Sequence, residues 1–486
     1  MRTFITALLL AASLSLGAQT PKDVKYVFTE ASDLNLTGKL FNDIPNPYHR
    51  VDTVRFKGFT KGENLQVRES SGIACTFRTN SSTISVKTVY GTPTFPSNTN
   101  GFSSRGYDLY IREGGQWVYA ASGVAPDKEL GKNIVLIKDM DPVEHECLLY
   151  LPLYSEVNSV QIGVEEGAAI SGFMPFHGRV AVFGSSYTHG SSTSRAGMTY
   201  PAQFTRATGV QLLSLGCSGN CKLQDYFCDV LCAAEDIDAF VFDSFSNPNP
   251  TQMEERLFPF IEKLQKAHPG VPLIFQRTIR REGRNFSNAT EAFEASKMRM
   301  ADSLMAIAVG RYSNVYYISP DASAPDHNAT VDGIHPDNYG YSLWERSVEK
   351  PLLKILSRYG LSQGPSMKVV VADGQCMGRF VSETKTSYVA DIQDTYEVPK
   401  AGAKVVEWKA EDGKGVVWLT TPGKASVYSS PDTGSKVIAT ARYEEGSVPD
   451  TYRCIGYSDG WYRISIDGKT GYIQSAIATW DAIDTF

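Results

Sequence analysis

The sequence predicts a multidomain protein with an N-terminal antiparallel β-sandwich or jelly roll, a central α/β domain built on a doubly wound parallel sheet, and a small C-terminal β-barrel. Three observations predict this order. Short β-type runs separated by turn residues fill positions 20–175, apolar strands alternate with amphipathic helical stretches over 179–359, and strands with tight turns return after 365. The length of 486 residues agrees with about three domains of about 150 residues each.

The N-terminal strands are predicted from short β-type runs bounded by Gly, Pro, Asn and Ser. The clearest candidates are Ser82–Val89, Tyr107–Arg112, Gln116–Ala121, Cys147–Leu153 and Ser159–Val164. We expect Tyr107 and Tyr110 in the core of this domain rather than on a substrate surface. The domain is expected to span residues 19–177.

The central strands are predicted from short apolar runs, because buried strands with helical crossovers specify a doubly wound parallel sheet. The strand candidates are Val180–Phe183, Val210–Leu215, Ala239–Phe242, Pro272–Phe275 and Val315–Ile318. Gln252–His268 and Ala289–Val309 are the clearest helix candidates. This domain is expected to span residues 178–360, and a linker separates it from a β-rich part at 366–486.

The first 18 residues predict a secretory signal peptide, because Arg2 precedes a short apolar run that ends at the small residues Gly17 and Ala18. This run is shorter than the ~20 residues needed to cross a bilayer, and no later stretch reaches that length. We therefore expect an exported protein, periplasmic or extracellular, without a membrane span. A net charge of −6 also argues against nucleic acid as its partner.

Four of the eight cysteines lie close together, in a spacing that does not match a structural zinc site. They are Cys217, Cys221, Cys228 and Cys232. We expect buried thiols on a helix, and export permits one local disulfide in addition. No metal site is predicted.

Polar residues follow the predicted central strands, at the edge where a parallel sheet binds its ligands. Ser186 follows the first strand, Gly219 the second and Asn247 the third, while Asp332 and His335 come after the fifth. A serine becomes nucleophilic when an imidazole takes its proton, and a carboxylate orients that imidazole. Backbone and amide N–H groups stabilise the oxyanion that forms. The pattern therefore predicts acyl transfer at a serine.

Four motifs in this order resemble the SGNH hydrolases, the GDSL-like lipase/acylhydrolase superfamily, and most closely a subgroup with a GxDLY-type N-terminal domain. They are Gly106–Tyr110, Ser194–Pro201, Leu215–Asn220 and Asp332–Pro336. The resemblance covers residues 20–358 and implies a flavodoxin-like central sheet and ester hydrolysis without a metal or organic cofactor.

The resemblance implies a role for five residues. Ser186 corresponds to the nucleophile, His335 to the general base and Asp332 to its orienting carboxylate. The backbone N–H groups of Ser186 and Gly219, with the Asn247 amide, correspond to the oxyanion hole.

The chain departs from the family pattern at two places. Ser185 stands where the wider superfamily usually has an aspartate before the nucleophile. The third motif lacks the usual glycine before Asn247, so Asn249 remains an alternative oxyanion donor.

Three further residues are candidate substrate contacts. His189 follows the nucleophile by three residues, and Arg277 and Arg280 follow the fourth strand, where a cation would meet an anionic substrate group. The alternative for both arginines is a solvated charged loop.

The C-terminal segment Trp418–Ile477 resembles a bacterial SH3-like domain, which implies contact with cell-wall peptides or polysaccharides. Trp461 and Tyr462 are expected either to pack in a small barrel or to bind such a ligand. Gly456–Gly460 matches a G-x-S-x-G nucleophile elbow, but a strand follows instead of a helix. We therefore interpret Ser458 as a hairpin-turn residue.

These observations together predict an exported serine esterase that hydrolyses small acyl esters, with O-acetyl groups on carbohydrate as the expected substrate. A lipid esterase or lysophospholipase is the alternative enzyme. A non-catalytic carbohydrate-binding or cell-wall-binding protein is the alternative of another class.

Overall fold

The computed structural model describes residues 24–362, 397–398, 415–443, 450–458 and 460–482. The predicted signal peptide lies outside the described residues. Within the described ranges, no helix is both long and apolar enough to cross a membrane.

Two antiparallel sheets form the N-terminal part. Its elements are β1 (Tyr26–Glu30), β2 (Leu36–Thr37), α1 (Lys61–Gln66), β3 (Ala74–Thr79), β4 (Ile84–Pro93), α2 (Gly101–Ser104), β5 (Tyr107–Glu113), β6 (Gln116–Gly123), β7 (Ile134–Ile137), β8 (His145–Tyr150), β9 (Ser155–Glu165) and β10 (Ile170–Gly172). One sheet has the order β1-β9-β4-β7 and the other β10-β3-β8-β5-β6, with β2 paired to β3. Residues of both sheets share one core that contains Tyr107, and Tyr110 is buried as well, so both tyrosines pack as predicted.

The central part is a parallel sheet covered by helices on both faces. Its elements are β11 (His177–Gly184), α3 (Ser186–His189), α4 (Tyr200–Thr208), β12 (Val210–Gly216), α5 (Asp225–Cys232), β13 (Ala239–Asp243), α6 (Pro250–Ala267), β14 (Leu273–Gln276), α7 (Asn288–Arg311), β15 (Val315–Ile318), α8 (Asn338–Ser357) and β16 (Glu397–Val398). The strand order is β12-β11-β13-β14-β15-β16, in which only β16 runs antiparallel to its neighbour. The order reverses at β11, so the ligand crevice of this fold is expected beyond the ends of β11 and β13.

Alternation of side chains along each strand builds two cores. In β13, Phe240 and Phe242 face the core formed with α5, α6 and α7, whereas Ala239 and Val241 face the core formed with α4 and α8. A strand buried on both faces needs apolar residues at every position. This requirement explains the continuous apolar runs from which the sequence predicts these strands.

The two domains share a buried interface that contains charge. Arg50 of the N-terminal part is 1% exposed. Its Nε donates to the carbonyl oxygen of Glu69 at 2.8 Å, and its Nη1 donates across the interface to that of Gly216, at the end of β12, at 2.7 Å. Because a buried N–H without an acceptor is costly, these bonds fix how the two domains meet.

The cysteine prediction is correct only in part. Cys228 and Cys232 lie in α5, with their Sγ atoms 3.9 Å apart and no disulfide between them. Cys217 and Cys221 are buried but lie in the loop between β12 and α5, not on a helix. The loop placement follows from Gly219, whose φ of +72° interrupts helical geometry.

The C-terminal part is a curled antiparallel sheet of seven strands. They are β17 (Gly415–Leu419), β18 (Gly423–Tyr428), β19 (Val437–Tyr443), β20 (Tyr452–Ser458), β21 (Trp461–Ile466), β22 (Lys469–Gln474) and β23 (Ala478–Ala482), in the order β19-β18-β22-β21-β20-β17-β23. Ser458 pairs with Trp461 across a β20–β21 hairpin, which confirms that the G-x-S-x-G pattern is not a nucleophile elbow. Tyr462 packs in the core, and Trp461 is half-buried.

The buried carboxylate of Asp243 connects the turn after β11 to the neighbouring strand β13. Oδ2 of Asp243, the last residue of β13, accepts the Ser185 N–H at 3.0 Å and the Ser185 hydroxyl at 2.7 Å. It also accepts the Thr188 hydroxyl at 3.1 Å. Burial nevertheless raises the pKa of Asp243 to about 6, because its hydrogen bonds only partly replace lost hydration. Ser185 stands at the position where the wider superfamily usually has an aspartate, and here it donates hydrogen bonds to the carboxylate of Asp243.

We expect Asp243→Asn to change how the stability of the protein depends on pH. The pKa of Asp243 is about 6 in the folded state, whereas an aspartate in the unfolded chain has its ordinary pKa of 3.8. Folding therefore becomes less favourable as the pH rises from about 4 to above 6. Wild-type stability relative to Asp243→Asn should therefore fall by about 2 kcal/mol between pH 4 and 7. Urea unfolding at several pH values measures this difference. Asp238→Asn, at an exposed position, serves as the control, and a constant difference between wild type and Asp243→Asn would contradict the prediction.

Candidate active site

The nucleophile candidate lies on the first turn after β11. Ser185 caps α3 by accepting the Tyr187 N–H, and Ser186 begins this short helix with 7% of its surface exposed. Gly184 is required here, since a Cβ atom would lie 1.9 Å from Oγ1 of Thr188. The turn therefore presents the Ser186 hydroxyl at the carboxyl edge of the sheet, where the sequence places it.

The structure brings Ser186, His335 and Asp332 into one hydrogen-bonded series. Ser186 Oγ lies 2.9 Å from His335 Nε2, and His335 Nδ1 lies 2.8 Å from Asp332 Oδ2. Asp332 Oδ1 also accepts the backbone N–H groups of Ile334 and His335, at 3.0 and 2.8 Å. The spacing of three residues between Asp332 and His335 thus forms a turn in which the carboxylate binds both the backbone and the ring of the histidine.

The loop that carries Asp332 and His335 is held by hydrogen bonds from the turn at Glu282 and Gly283. Glu282 accepts the Ala329 N–H at 2.8 Å and also the Thr330 hydroxyl. The N–H of Gly283 donates to the carbonyl oxygen of Gly333 at 2.6 Å. These contacts fix the loop although it contains no regular secondary structure.

An asparagine of the N-terminal domain enters this series. Asn98 Nδ2 lies 3.0 Å from Asp332 Oδ2 and 3.2 Å from His335 Nδ1. The sequence analysis missed Asn98, because it lies 234 residues before Asp332, in a loop without a recognisable motif. Only the packing of the two domains brings it to the site.

The surroundings of Asp332 lower the pKa of its carboxyl group. Its partial burial alone would raise the pKa of the carboxyl group. Hydrogen bonds from Asn98, from the His335 backbone and from the His335 ring outweigh that effect and hold the pKa of Asp332 well below its usual range. The carboxylate is therefore ionised at any pH at which the histidine is functional.

The oxyanion candidates lie at the ends of β12 and β13. Gly219 adopts a φ of +72° with open space where a Cβ would be. Asn247 Oδ1 accepts the Cys221 N–H at 3.2 Å, which leaves the Nδ2 amide hydrogens as the donors of this side chain. Asn249, the alternative, caps α6 by accepting the Gln252 N–H at 2.9 Å, and this helix cap accounts for its presence.

The loop that carries Asn247 is anchored by buried cations. The carbonyl oxygen of Ser246 accepts Arg281 Nη2 at 2.9 Å and Lys297 Nζ at 2.8 Å. Arg281 Nε also donates to the hydroxyl of Tyr187, the residue after the nucleophile, at 2.8 Å. Arg281, which sequence analysis did not single out, therefore supports both the Asn247 loop and the turn that carries Ser186.

Two predicted substrate contacts are corrected by their surroundings. His189 is fully buried, where its Nε2 lies 2.8 Å from the carbonyl oxygen of Leu153 and its ring stacks on Tyr154 at 4.1 Å. It packs at the domain interface because the short helix turns it away from the sheet edge. Arg277 pairs with Asp302 of α7 through two N–O contacts of 3.0 Å, which is a structural ion pair.

The remaining predicted contact has a partner in the loop before Asp332. Arg280 Nη1 lies 3.0 Å from Nδ1 of His327. A substrate role for Arg280 stays a prediction.

The GxDLY-type motif functions as an interface between the domains. Asp108 is fully buried and accepts Arg195 Nη1 at 3.2 Å and the Gly197 N–H at 2.8 Å. Both partners belong to the Ser194–Pro201 motif of the central domain. Two of the motifs recognised in the sequence are thus the two sides of one contact.

Three regions of the chain match models of known families. Residues 177–352 match the GDSL-like lipase/acylhydrolase family, residues 24–170 match the N-terminus of SGNH-hydrolase-type esterases, and residues 421–480 match the bacterial SH3 domain. A search of curated proteins found no match to the chain.

Two solved structures are similar to this chain. One, described as a GDSL-like lipase from Bacteroides ovatus ATCC 8483, is 33% identical with a TM-score of 0.65, covering 68% of this chain and 98% of that chain. The other, the salicylyl-acyltransferase SsfX3 from a tetracycline biosynthetic pathway, is 16% identical with a TM-score of 0.54 over the same shares, and this likeness concerns the fold alone. The chain therefore belongs to the GDSL-like lipase/acylhydrolase family and is a carboxylic ester hydrolase with an SGNH-esterase N-terminal domain and a bacterial SH3 domain.

Proposed function

We propose that this protein is an exported serine esterase that removes small acyl groups, above all O-acetyl groups, from a carbohydrate. The observation that carries the proposal is the alignment of Ser186, His335 and Asp332 through contacts of 2.9 and 2.8 Å. The basic, apolar and small-residue pattern of the first 18 residues supports export.

The contacts support a two-step reaction through an acyl-enzyme. His335 Nε2 takes the Ser186 proton while Oγ attacks the ester carbonyl carbon, and the protonated ring then gives that proton to the departing sugar oxygen. In the second step a water molecule gives a proton to His335 and attacks the acyl carbon. Acetic acid leaves, and the Ser186 hydroxyl is restored.

Three donors stabilise the negative charge that forms on the carbonyl oxygen in each step. They are the backbone N–H groups of Ser186 and Gly219 and the Nδ2 of Asn247. Asn247 is held by Cys221 through its oxygen, so its N–H groups are pre-oriented and no reorganisation is needed during the reaction.

A cleft between the domains lies beside the loop that carries Gly219. It has a volume of about 540 Å³ and begins at Asn220, directly after Gly219. Thr60, which caps α1, and Gln252 and Arg256 of α6 contribute hydrogen-bonding groups to its lining. Leu223, Tyr226 and Phe260 add apolar surface to the same lining.

One observation favours the lipid esterase as a second candidate. Val331 and Ile334, which flank Asp332 and precede His335, are 54% and 39% exposed. Exposed apolar residues beside a catalytic loop suit a long acyl chain.

The C-terminal domain supports a role in attachment. We propose that it holds the enzyme on peptidoglycan or another cell-wall polymer, as the family match and the half-buried Trp461 suggest. Sedimentation of the intact chain with insoluble peptidoglycan and with insoluble polysaccharide tests this idea, and failure to co-sediment with either refutes it.

We expect Ser186→Ala to abolish acetate release, because alanine offers no nucleophile. Hydrolysis of p-nitrophenyl acetate and of acetylated polysaccharides should fall by about 10⁴-fold or more. Ser458→Ala, in the hairpin that imitates a nucleophile elbow, should retain wild-type rates. Activity that survives Ser186→Ala would refute this nucleophile.

The same assay separates the alternative functions. Preference for acetyl over longer acyl chains, with turnover of an acetylated polysaccharide, supports the carbohydrate esterase. Preference for long chains would identify a lipid esterase. Polymer binding without turnover of any ester by the wild type would favour the non-catalytic binding protein.

We expect Asn247→Ala to lower kcat by about 100-fold with little change in KM, because an oxyanion donor acts mainly in the transition state. Asn249→Ala should instead cost about 1 kcal/mol of stability through loss of the α6 cap, with kcat nearly unchanged. Steady-state kinetics and urea unfolding of both variants measure these effects. The opposite pattern would assign the oxyanion role to Asn249.

A further inference from the structure

The loop between β4 and α2 extends from the N-terminal domain to the catalytic histidine. The central domain holds it in place through Ser192. The hydroxyl of Ser192 donates to the carbonyl oxygen of Asn98 at 2.9 Å, and its N–H donates to Thr99 Oγ1 at 3.1 Å. Ser192 adopts a φ of +68°, an uncommon conformation for serine that these contacts compensate. Asn98 is therefore held at a defined position beside Asp332.

The side-chain orientation of Asn98 follows from its own hydrogen bonds. The Thr99 hydroxyl lies 3.3 Å from Asn98 Oδ1, which assigns the other amide atom, Nδ2, to the contact with Asp332. The donor groups of Asn98 thus point toward a carboxylate, as the chemistry of both groups requires.

Counting protons shows what Asn98 binds when the site is ready to react. His335 Nε2 must accept the Ser186 proton, so Nδ1 carries the ring hydrogen and donates it to Asp332 Oδ2. Two donors cannot bond to each other, so the acceptor for Asn98 is Asp332 Oδ2 and not the ring. The carboxylate then accepts four N–H groups, two on each oxygen.

We propose that Asn98 is a positioning residue of the esterase reaction, which keeps the Asp332 carboxylate oriented toward His335 and thereby makes the N-terminal domain part of the active site. The inference rests on the proposed function for its kinetic consequences. It goes beyond that function, because it assigns a catalytic contribution to a domain outside the Ser186–His335–Asp332 set.

The contribution of Asn98 is to hold the negative charge in place while the histidine becomes positive. When His335 takes the Ser186 proton, the ring cation is stabilised by a carboxylate that cannot turn away. Without the Nδ2 donor, Oδ2 of Asp332 loses one of its two hydrogen bonds. Small errors in orientation at a catalytic base cost up to about 100-fold in rate.

Three variants of one loop test the role. Asn98→Ala removes the donor, and Asn98→Asp replaces it with a negative charge of similar shape. Asn100→Ala is the matched control, because Asn100 caps α2 by accepting the Ser103 N–H and has no bond to Asp332. Kinetics on p-nitrophenyl acetate are measured from pH 5 to 9, alongside wild type and Ser186→Ala.

We expect Asn98→Ala to lower kcat/KM by about 10- to 100-fold, mainly through kcat, while Asn100→Ala stays within about twofold of wild type. In Asn98→Asp the added negative charge favours the protonated ring, so the acidic limb of the kcat/KM profile should move up by about one pH unit. A purely structural role for the loop would change rates in Asn98→Ala and Asn100→Ala alike, and an acidic limb that stays in place in Asn98→Asp would show that the side chain at position 98 does not contact the Asp332–His335 pair.

A second measurement decides the proposal independently of turnover. The titration midpoint of His335 is followed by NMR in histidine-labelled protein, with the resonance assigned through His335→Gln. We expect a midpoint about one pH unit higher in Asn98→Asp than in wild type. An unchanged midpoint overturns the proposal, whatever the rates. Absence of Ser186-dependent hydrolysis by the wild type would instead overturn the proposed function, and the titration would still decide whether the side chain at position 98 contacts the Asp332–His335 pair.

Discussion

The geometry of the candidate active site depends on one carboxylate that is held by four N–H groups. The backbone N–H groups of Ile334 and His335 bind Asp332 Oδ1, while the His335 ring and Asn98 bind Oδ2. Charge-assisted hydrogen bonds on both oxygens keep a carboxylate ionised and fixed in orientation. The histidine ring is fixed with it, and only then does Nε2 face Ser186. Because the donors come from two domains, neither domain provides this arrangement alone.

The parallel sheet brings together residues that are far apart in the chain. Ser186 and His335 are separated by 149 positions, yet both follow strands whose carboxyl ends meet at one edge. Asp243 ties two of these strand ends together from inside the core. Because burial raises the pKa of Asp243, its ionisation at neutral pH lowers the stability of the folded protein. Stability given up for an ordered site is a common property of enzymes.

The sequence was sufficient for the layout of the fold and for the residues that carry short motifs. The strands of the central sheet are apolar on both faces, and their alternation with amphipathic helices leaves little ambiguity. His189 shows where the sequence was insufficient, because proximity to Ser186 along the chain does not reveal that the helix turns its ring into the domain interface. Asn98 belongs to no motif, and the sequence does not reveal that Asn249 caps α6. Each of these depends on long-range packing.

Polar contacts buried between the domains explain how a loop can reach a catalytic pair with hydrogen-bond accuracy. Arg50 binds the backbone at the end of β12, and Asp108 binds Arg195 and Gly197. Two apolar surfaces can shift slightly against each other at little cost in free energy. Buried charges with specific partners are satisfied in a single arrangement, because a shift leaves them unpaired. The interface therefore sets the position of the loop before any contact with Asp332 is made. Under the proposal for Asn98, the GxDLY-type motif contributes to catalysis indirectly, because its buried contacts set the position of the loop that carries Asn98.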